Sequence, residues 1–206
     1  MMQTRKFHRV IGLLLLLPML GWVVTGFVFF TKPGYDGAYE MLQPKTYPLG
    51  EDPISVTPAP AWLEFRRVRT ILGPHLLVRT AQGWQQLDPA TLAPRPLPAE
   101  DEVRRLLTDA IANRAARYGR LASLANGTAV TSTKIQLTLD WNRLSLQQKG
   151  PDTDRIDQLY KIHYLQWTGV KWLDRILGMA GLALLALLSL LGLALQFGLR
   201  RPASQK

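Results

Sequence analysis

Two long blocks of this chain carry no charge, Ile11 to Phe30 and Ile176 to Leu199. A hydrocarbon layer of about 30 Å is crossed by roughly 20 apolar residues in a helix, and both blocks have that length. In lipid a lone segment satisfies its own backbone groups only as a helix, so both are expected to be helical. The mean hydropathy over 206 residues is -0.00, a value that hides the blocks because a polar stretch separates them.

The first block follows Arg5, Lys6 and Arg9, as the core of a secretory leader does. Leader cores run only about 7–15 residues and end in a small-residue cleavage site. This one is longer and closes with Phe27-Val28-Phe29-Phe30-Thr31-Lys32, so it reads as a retained anchor. Arg200, Arg201 and Lys206 follow the second block. Short basic flanks stay on the cytoplasmic side, which predicts both termini inside a bacterial inner membrane and a periplasmic domain between the helices. Trp167 and Trp172, with Tyr160 and Tyr164, suit the outer headgroup level.

The resulting plan is a basic flank (1–10), transmembrane helix 1 (11–31), a Pro-rich connector (32–60) and a periplasmic domain (61–150). An amphipathic interfacial helix (151–170), transmembrane helix 2 (171–199) and a cytoplasmic tail (200–206) complete it. The net charge of +10 invites a nucleic-acid role, but the six basic residues of the flanks supply much of it. Lys32 to Lys171 holds 18 Lys/Arg against 14 Asp/Glu, with no aromatic-interleaved basic face, so nucleic acid is not an expected partner. There is no cysteine, hence no disulfide and no thiolate metal site.

In the central region, Phe65 to Ile71 reads as a strand, and His75–Thr80 with Trp84–Leu87 as a hairpin turning at Ala81-Gln82-Gly83. Glu100, Asp101 and Glu102 open a helix in which Val103, Leu106, Leu107, Ala110, Ile111, Tyr118 and Leu121 recur at helical spacing. Asn126-Gly127 is expected to end it. Ile135, Leu137, Leu139 and Trp141 alternate with polar residues as a half-buried strand, and Leu144 and Leu146 continue into a partner. The fold class is therefore α+β: two transmembrane helices flanking one helix packed on an antiparallel sheet. From Asp154, Ile156, Leu159, Tyr160, His163 and Trp167 share a face. That segment is expected to lie on the membrane and bend at Gly169, or to project as a stalk.

In this order the pieces resemble the PepSY-associated transmembrane family. The likeness rests on Arg5-Lys6-Phe7-His8-Arg9-Val10-Ile11-Gly12 entering the first helix, Thr25-Gly26 near its end, and the hairpin-then-helix unit. It rests also on Leu159-Tyr160-Lys161-Ile162-His163-Tyr164-Leu165 before a last helix rich in Gly, Ala and Leu. Larger members carry four or more membrane helices and are associated with iron and siderophore metabolism, and some look like haem-containing reductases. This chain resembles half of such a protein.

Three histidines are available, His8, His75 and His163. They are too far apart in sequence for a tight zinc site, and no Ser-His-Asp set, paired carboxylates or phosphate loop stands out. His75, after Gly73-Pro74, is expected on the surface of a turn. His8 and His163 read on their own as interfacial residues, and the resemblance implies that they ligate haem b. They lie at opposite faces of a bilayer of about 30 Å, so one chain cannot bring both to one iron. A two-fold homodimer would pair each with its own mate. Ala180, Ala183, Ala186, Ser189 and Gly192 form a small-residue series for such contact, or for packing against the first helix. The expectation is a haem-binding membrane redox component, linked to iron or siderophore reduction, acting as a homodimer or in a larger membrane complex. A ferric siderophore or a protein is the expected periplasmic partner. The alternatives are a non-catalytic, membrane-anchored PepSY module that binds a peptide or protein, and an accessory subunit of a larger complex.

Overall fold

The computed structural model describes residues 2–50, 56–125 and 127–198, and the basic tail from Arg200 lies outside them. Two compact units emerge, Met1–Gly34 with Asp154–Lys206, and Tyr35–Thr153.

The first unit is a helical hairpin. Helix α1 (Met2–Thr31) begins inside the basic flank, ahead of its expected start, and α6 (Lys171–Gly198) matches expectation closely. Both are long and apolar enough to cross a membrane. Along α1, His8, Ile11, Leu15, Pro18, Trp22, Thr25 and Phe29 are buried or half-buried, while Leu13, Leu14, Leu17, Val23 and Val24 are exposed. Steps of three and four residues keep that stripe on one face. Helix α6 answers with Asp174, Gly178, Gly181, Leu185, Leu188, Gly192 and Leu195. The helices run antiparallel. A methyl added at Gly12 would meet Leu188 at 3.8 Å, one at Gly181 would meet Trp22 at 3.7 Å, and one at Gly192 would meet His8 at 3.5 Å. Glycine on this seam lets the backbones approach. Of the small-residue series, only Gly192 joins the seam, while Ala180, Ala183, Ala186 and Ser189 stay exposed. A strict three-residue repeat drifts by about 60° per step on a helix of 3.6 residues per turn, so it cannot hold one face.

The amphipathic segment is shorter than expected. Helix α5 (Pro151–His163) stops at His163, and residues 164–170 form a connector with Leu165 at φ 56° and Gly169 at φ 74°. The bend thus begins before Gly169, and there is no continuous stalk. Asp174 anchors the connector by accepting the Thr168 N–H at 2.9 Å and its hydroxyl at 2.7 Å.

The second unit is α+β, with two antiparallel sheets where one was expected. Short helix α2 (Tyr35–Ala38) precedes β1 (Glu64–Thr70), β2 (Gly73–Thr80) and β3 (Gly83–Leu87), paired in that order. Helix α3 (Glu100–Ile111) and the one-turn α4 (Ala115–Tyr118) lead into β4 (Leu121–Ala125), β5 (Thr128–Thr131), β6 (Gln136–Asp140) and β7 (Ser145–Lys149). The Glu102 carboxylate accepts the Ala99 N–H at 2.9 Å, half of a capping box.

The long helix expected to reach Leu121 ends at Ile111 instead, and a tight turn and the one-turn α4 carry the chain on to Tyr118. Gly119 turns the chain at φ 62°, where Ser132 Oγ lies only 2.1 Å from the place of an added Cβ, and Leu121 opens β4. Gly127 (φ 72°) lies between β4 and β5, in a hairpin rather than at a helix end, and Asn126 lies outside the described residues. An Asn-Gly pair between alternating apolar residues is a hairpin signal as much as a helix stop.

Helix α3 is central to the packing. Its Val103, Leu107 and Ile111 join Tyr118, Ala129, Leu137 and Leu146, while Leu106 joins Leu77, Trp141 and Leu144. Leu76, Val78 and Leu87 form a further cluster on the other face of β2. Both faces of β2 are thus covered, and His75 to Val78 are all buried.

Candidate functional site

Two side chains of α1, Trp22 and Thr25, meet His163 at the end of α5. His163 is the last residue of α5, so its carbonyl has no partner within the helix. Trp22 of α1 donates its indole N–H to that carbonyl at 2.6 Å. One turn along α1, Thr25 Oγ1 lies 2.8 Å from His163 Nδ1. Thr25 also donates to the Gly21 carbonyl at 2.6 Å. With its one proton on the Gly21 carbonyl, the Thr25 hydroxyl is an acceptor for Nδ1–H. In that tautomer Nε2 carries the lone pair. No hydrogen bond among the described residues engages Nε2. That is the form in which histidine ligates a metal, with its other nitrogen oriented by a neighbour.

Aromatic rings surround the imidazole. Phe29 meets it edge-on at 5.2 Å and Tyr164 at 5.4 Å, and Phe29 stacks on Tyr160 at 4.6 Å. Beside it lies a groove of about 320 Å³ lined by Trp22, His163, Tyr164, Leu165, Gly178, Leu182 and Leu185. Its walls are almost wholly apolar. Such a groove admits one edge of a large flat molecule, not the whole of it.

His8 sits in the seam against Gly192, with its Nδ1 buried and without a hydrogen-bond partner. It lies 17 residues from Thr25 on the same helix, about 25 Å at about 1.5 Å per residue. His8 and His163 are therefore not brought together within one chain. Among the described residues no three His, Cys, Asp or Glu side chains cluster as a metal site.

His75 is not on a surface turn. It is an interior residue of β2, at 0 % exposure. Thr70 Oγ1 lies 2.7 Å from its Nε2 and Gln86 Oε1 2.9 Å from its Nδ1, and the Gln86 amide donates in turn to the Trp141 carbonyl. Burial pushes its pKa down to about 4; the Gln86 hydrogen bond opposes the shift and nearby Arg95 adds to it. A histidine so fully satisfied is structural, joining one sheet to the other.

Sequence reading placed Thr25 in a motif but gave it no role, and it missed Trp22. The signal for both was available. They fall on the same stripe as His8, at steps of three and four residues.

No family model, curated protein or solved structure matches this chain.

Proposed function

We propose that this chain is a haem-binding component of a membrane redox system, related to the PepSY-associated transmembrane proteins and acting as a two-fold dimer in a bacterial inner membrane. The observation that carries the reading is the setting of His163: Thr25 Oγ1 lies 2.8 Å from Nδ1, and the ring lines an apolar groove. The donor set fits b-type haem. Each end of the hairpin offers one imidazole, and a two-fold axis supplies the second. His163 and its mate would hold one group and His8 and its mate another. Haem supplies one-electron transfer at its iron, tuned by ligand and burial.

The chain's own residues have distinct tasks in this reading. Trp22 fixes the end of α5, Thr25 orients the ring, and Phe29, Tyr160 and Tyr164 keep water from it. The buried, unpartnered Nδ1 of His8 is a polar atom that ordinary packing leaves without a partner, and such atoms call for a reason. Both termini are cytoplasmic and the sheet unit periplasmic in this arrangement, with iron or siderophore reduction as its use.

A reduced-minus-oxidised visible spectrum of protein purified in mild detergent tests the proposal, beside His8→Ala and His163→Ala. The expected result is a b-type signal in the parent that weakens with each substitution. A colourless, well-folded protein, even after haem is supplied during expression, would refute it. The anchored binding module would then stand, and the cleft described next favours that second reading.

A further inference from the structure

Within the sheet unit, three separate parts of the chain line a cleft of about 680 Å³. Strands β1 to β3 contribute Arg66, Val68, Leu77 and Trp84, the β6–β7 turn contributes Arg143, Leu144 and Ser145, and the connector contributes Gln43, Pro44 and Thr46. Leu77 and Leu144 are buried, which makes part of the lining apolar, while hydroxyls and an amide stand among the rest. The Arg66 guanidinium lies over the Trp84 ring at 4.6 Å.

The charge in this cleft is one-sided. Among the described residues two guanidinium groups line it and no carboxylate does. Two acids on the same sheets pair with these arginines at long range. Glu64 reaches Arg66 at 3.5 Å but shares its carboxylate with Arg79 at 3.3 Å. Asp140 reaches Arg143 at only 4.0 Å. Both ion pairs are long, and a guanidinium fork suits a carboxylate held by two parallel hydrogen bonds. Leu144, at φ 49°, closes the β6–β7 turn at the lip.

We infer that this cleft binds a small organic carboxylate with a flat or apolar body. The acid would be held by Arg66 and Arg143, and the body would lie along Trp84 and the Leu77–Leu144 surface. The volume is in the range of sites for small molecules, and the lining is mostly polar, with an apolar patch at Val68, Leu77, Trp84 and Leu144.

The test is equilibrium dialysis of the full chain in nanodiscs, subtracting empty nanodiscs, with 1-naphthoate, 1-naphthyl phosphate and the neutral 1-naphthalenemethanol as probes. Two variants accompany it: Arg143→Gln, at an exposed turn, and Thr46→Glu, which adds a carboxylate to the cleft. The inference expects saturable naphthoate binding that falls about tenfold in Arg143→Gln, the loss of about 1.4 kcal/mol. It expects none in Thr46→Glu, and none for the alcohol. Equal binding of acid and alcohol, an unchanged affinity in both variants, or no naphthoate binding at millimolar concentration would overturn it. Tighter binding of the phosphate would overturn the carboxylate assignment.

Discussion

His75 makes the sheet unit sensitive to mild acid, and the size of the effect follows from its surroundings. The unfolded chain titrates near the ordinary histidine value of 6.5, whereas burial in β2 lowers the folded value to about 4. At neutral pH both states hold the neutral ring, and the shift costs nothing. As pH falls below 6.5 the unfolded state takes up a proton that the folded state refuses. Stability drops by about 1.4 kcal/mol per pH unit until the folded ring also titrates near pH 4. From pH 7.5 to 4.5 that amounts to about 2.5 kcal/mol, or roughly a 70-fold rise in the open population. His75 is the sheet unit's single histidine, and carboxylates titrate mostly below this window. The assay is hydrogen exchange by mass spectrometry on the full chain in nanodiscs, corrected for the intrinsic pH dependence, following β2 and β3. Protection there should fall by that factor, and in His75→Gln the fall should be absent while the baseline is lower at every pH. An NMR titration of His75 guards against a variant that fails to fold. A folded pKa near 6.5, or a parent protein whose protection holds within about threefold between those pH values, refutes the reasoning.

Three further outcomes follow from particular contacts. Gly119→Ala places a Cβ against Ser132 at a positive φ, so it should destabilise the sheet unit by about 2 kcal/mol, read as a lower midpoint in denaturant. Leu107→Ala, at 0 % exposure in α3, should cost about 3 kcal/mol by the same assay, with far-ultraviolet dichroism unchanged. Thr25→Val removes the hydroxyl that binds His163 Nδ1–H, so ¹⁵N spectra of specifically labelled histidine should show the tautomer population shifting toward Nε2–H, while the parent remains Nδ1–H.

The membrane helices were legible because length and the absence of charge are one-dimensional properties. Strands β1 to β3 were legible because apolar runs and a Gly-bearing turn frame them. The stretch from Ala112 to Thr131 misled for a physical reason. Tyr118 and Leu121 fit a helical period when counted on from Val103, yet both are apolar because they pack in the same cluster from different elements. The helix breaks after Ile111, and Gly119 then ends the one-turn α4 at a positive φ set by the return of the chain past Ser132. His75 misled in a related way. Gly73-Pro74 announces a turn, but the register pairs Gly73 with Thr70 and Pro74 with Arg69, so both residues already lie in the ladder.

The candidate site shows a different limit. His8 and His163 were legible as residue types at the two ends of an apolar helix, but nothing in composition links His163 to Thr25, 138 positions away. The link depends on α5 stopping at His163, because one more helical turn would bind its carbonyl internally and leave the Trp22 indole without that acceptor. The periodicity of α1 does carry part of the answer. Within an apolar helix, a stripe at steps of three and four residues marks the side that meets protein, and polar members of that stripe are costly unless they serve a purpose. On α1 they are His8 and Thr25. One is left with a buried nitrogen unbound and the other spends its single hydroxyl proton on its own helix so as to accept from an imidazole. The two ends of the seam therefore differ in their contacts: His163 Nδ1 lies 2.8 Å from Thr25 Oγ1, whereas His8 Nδ1 is buried without a hydrogen-bond partner.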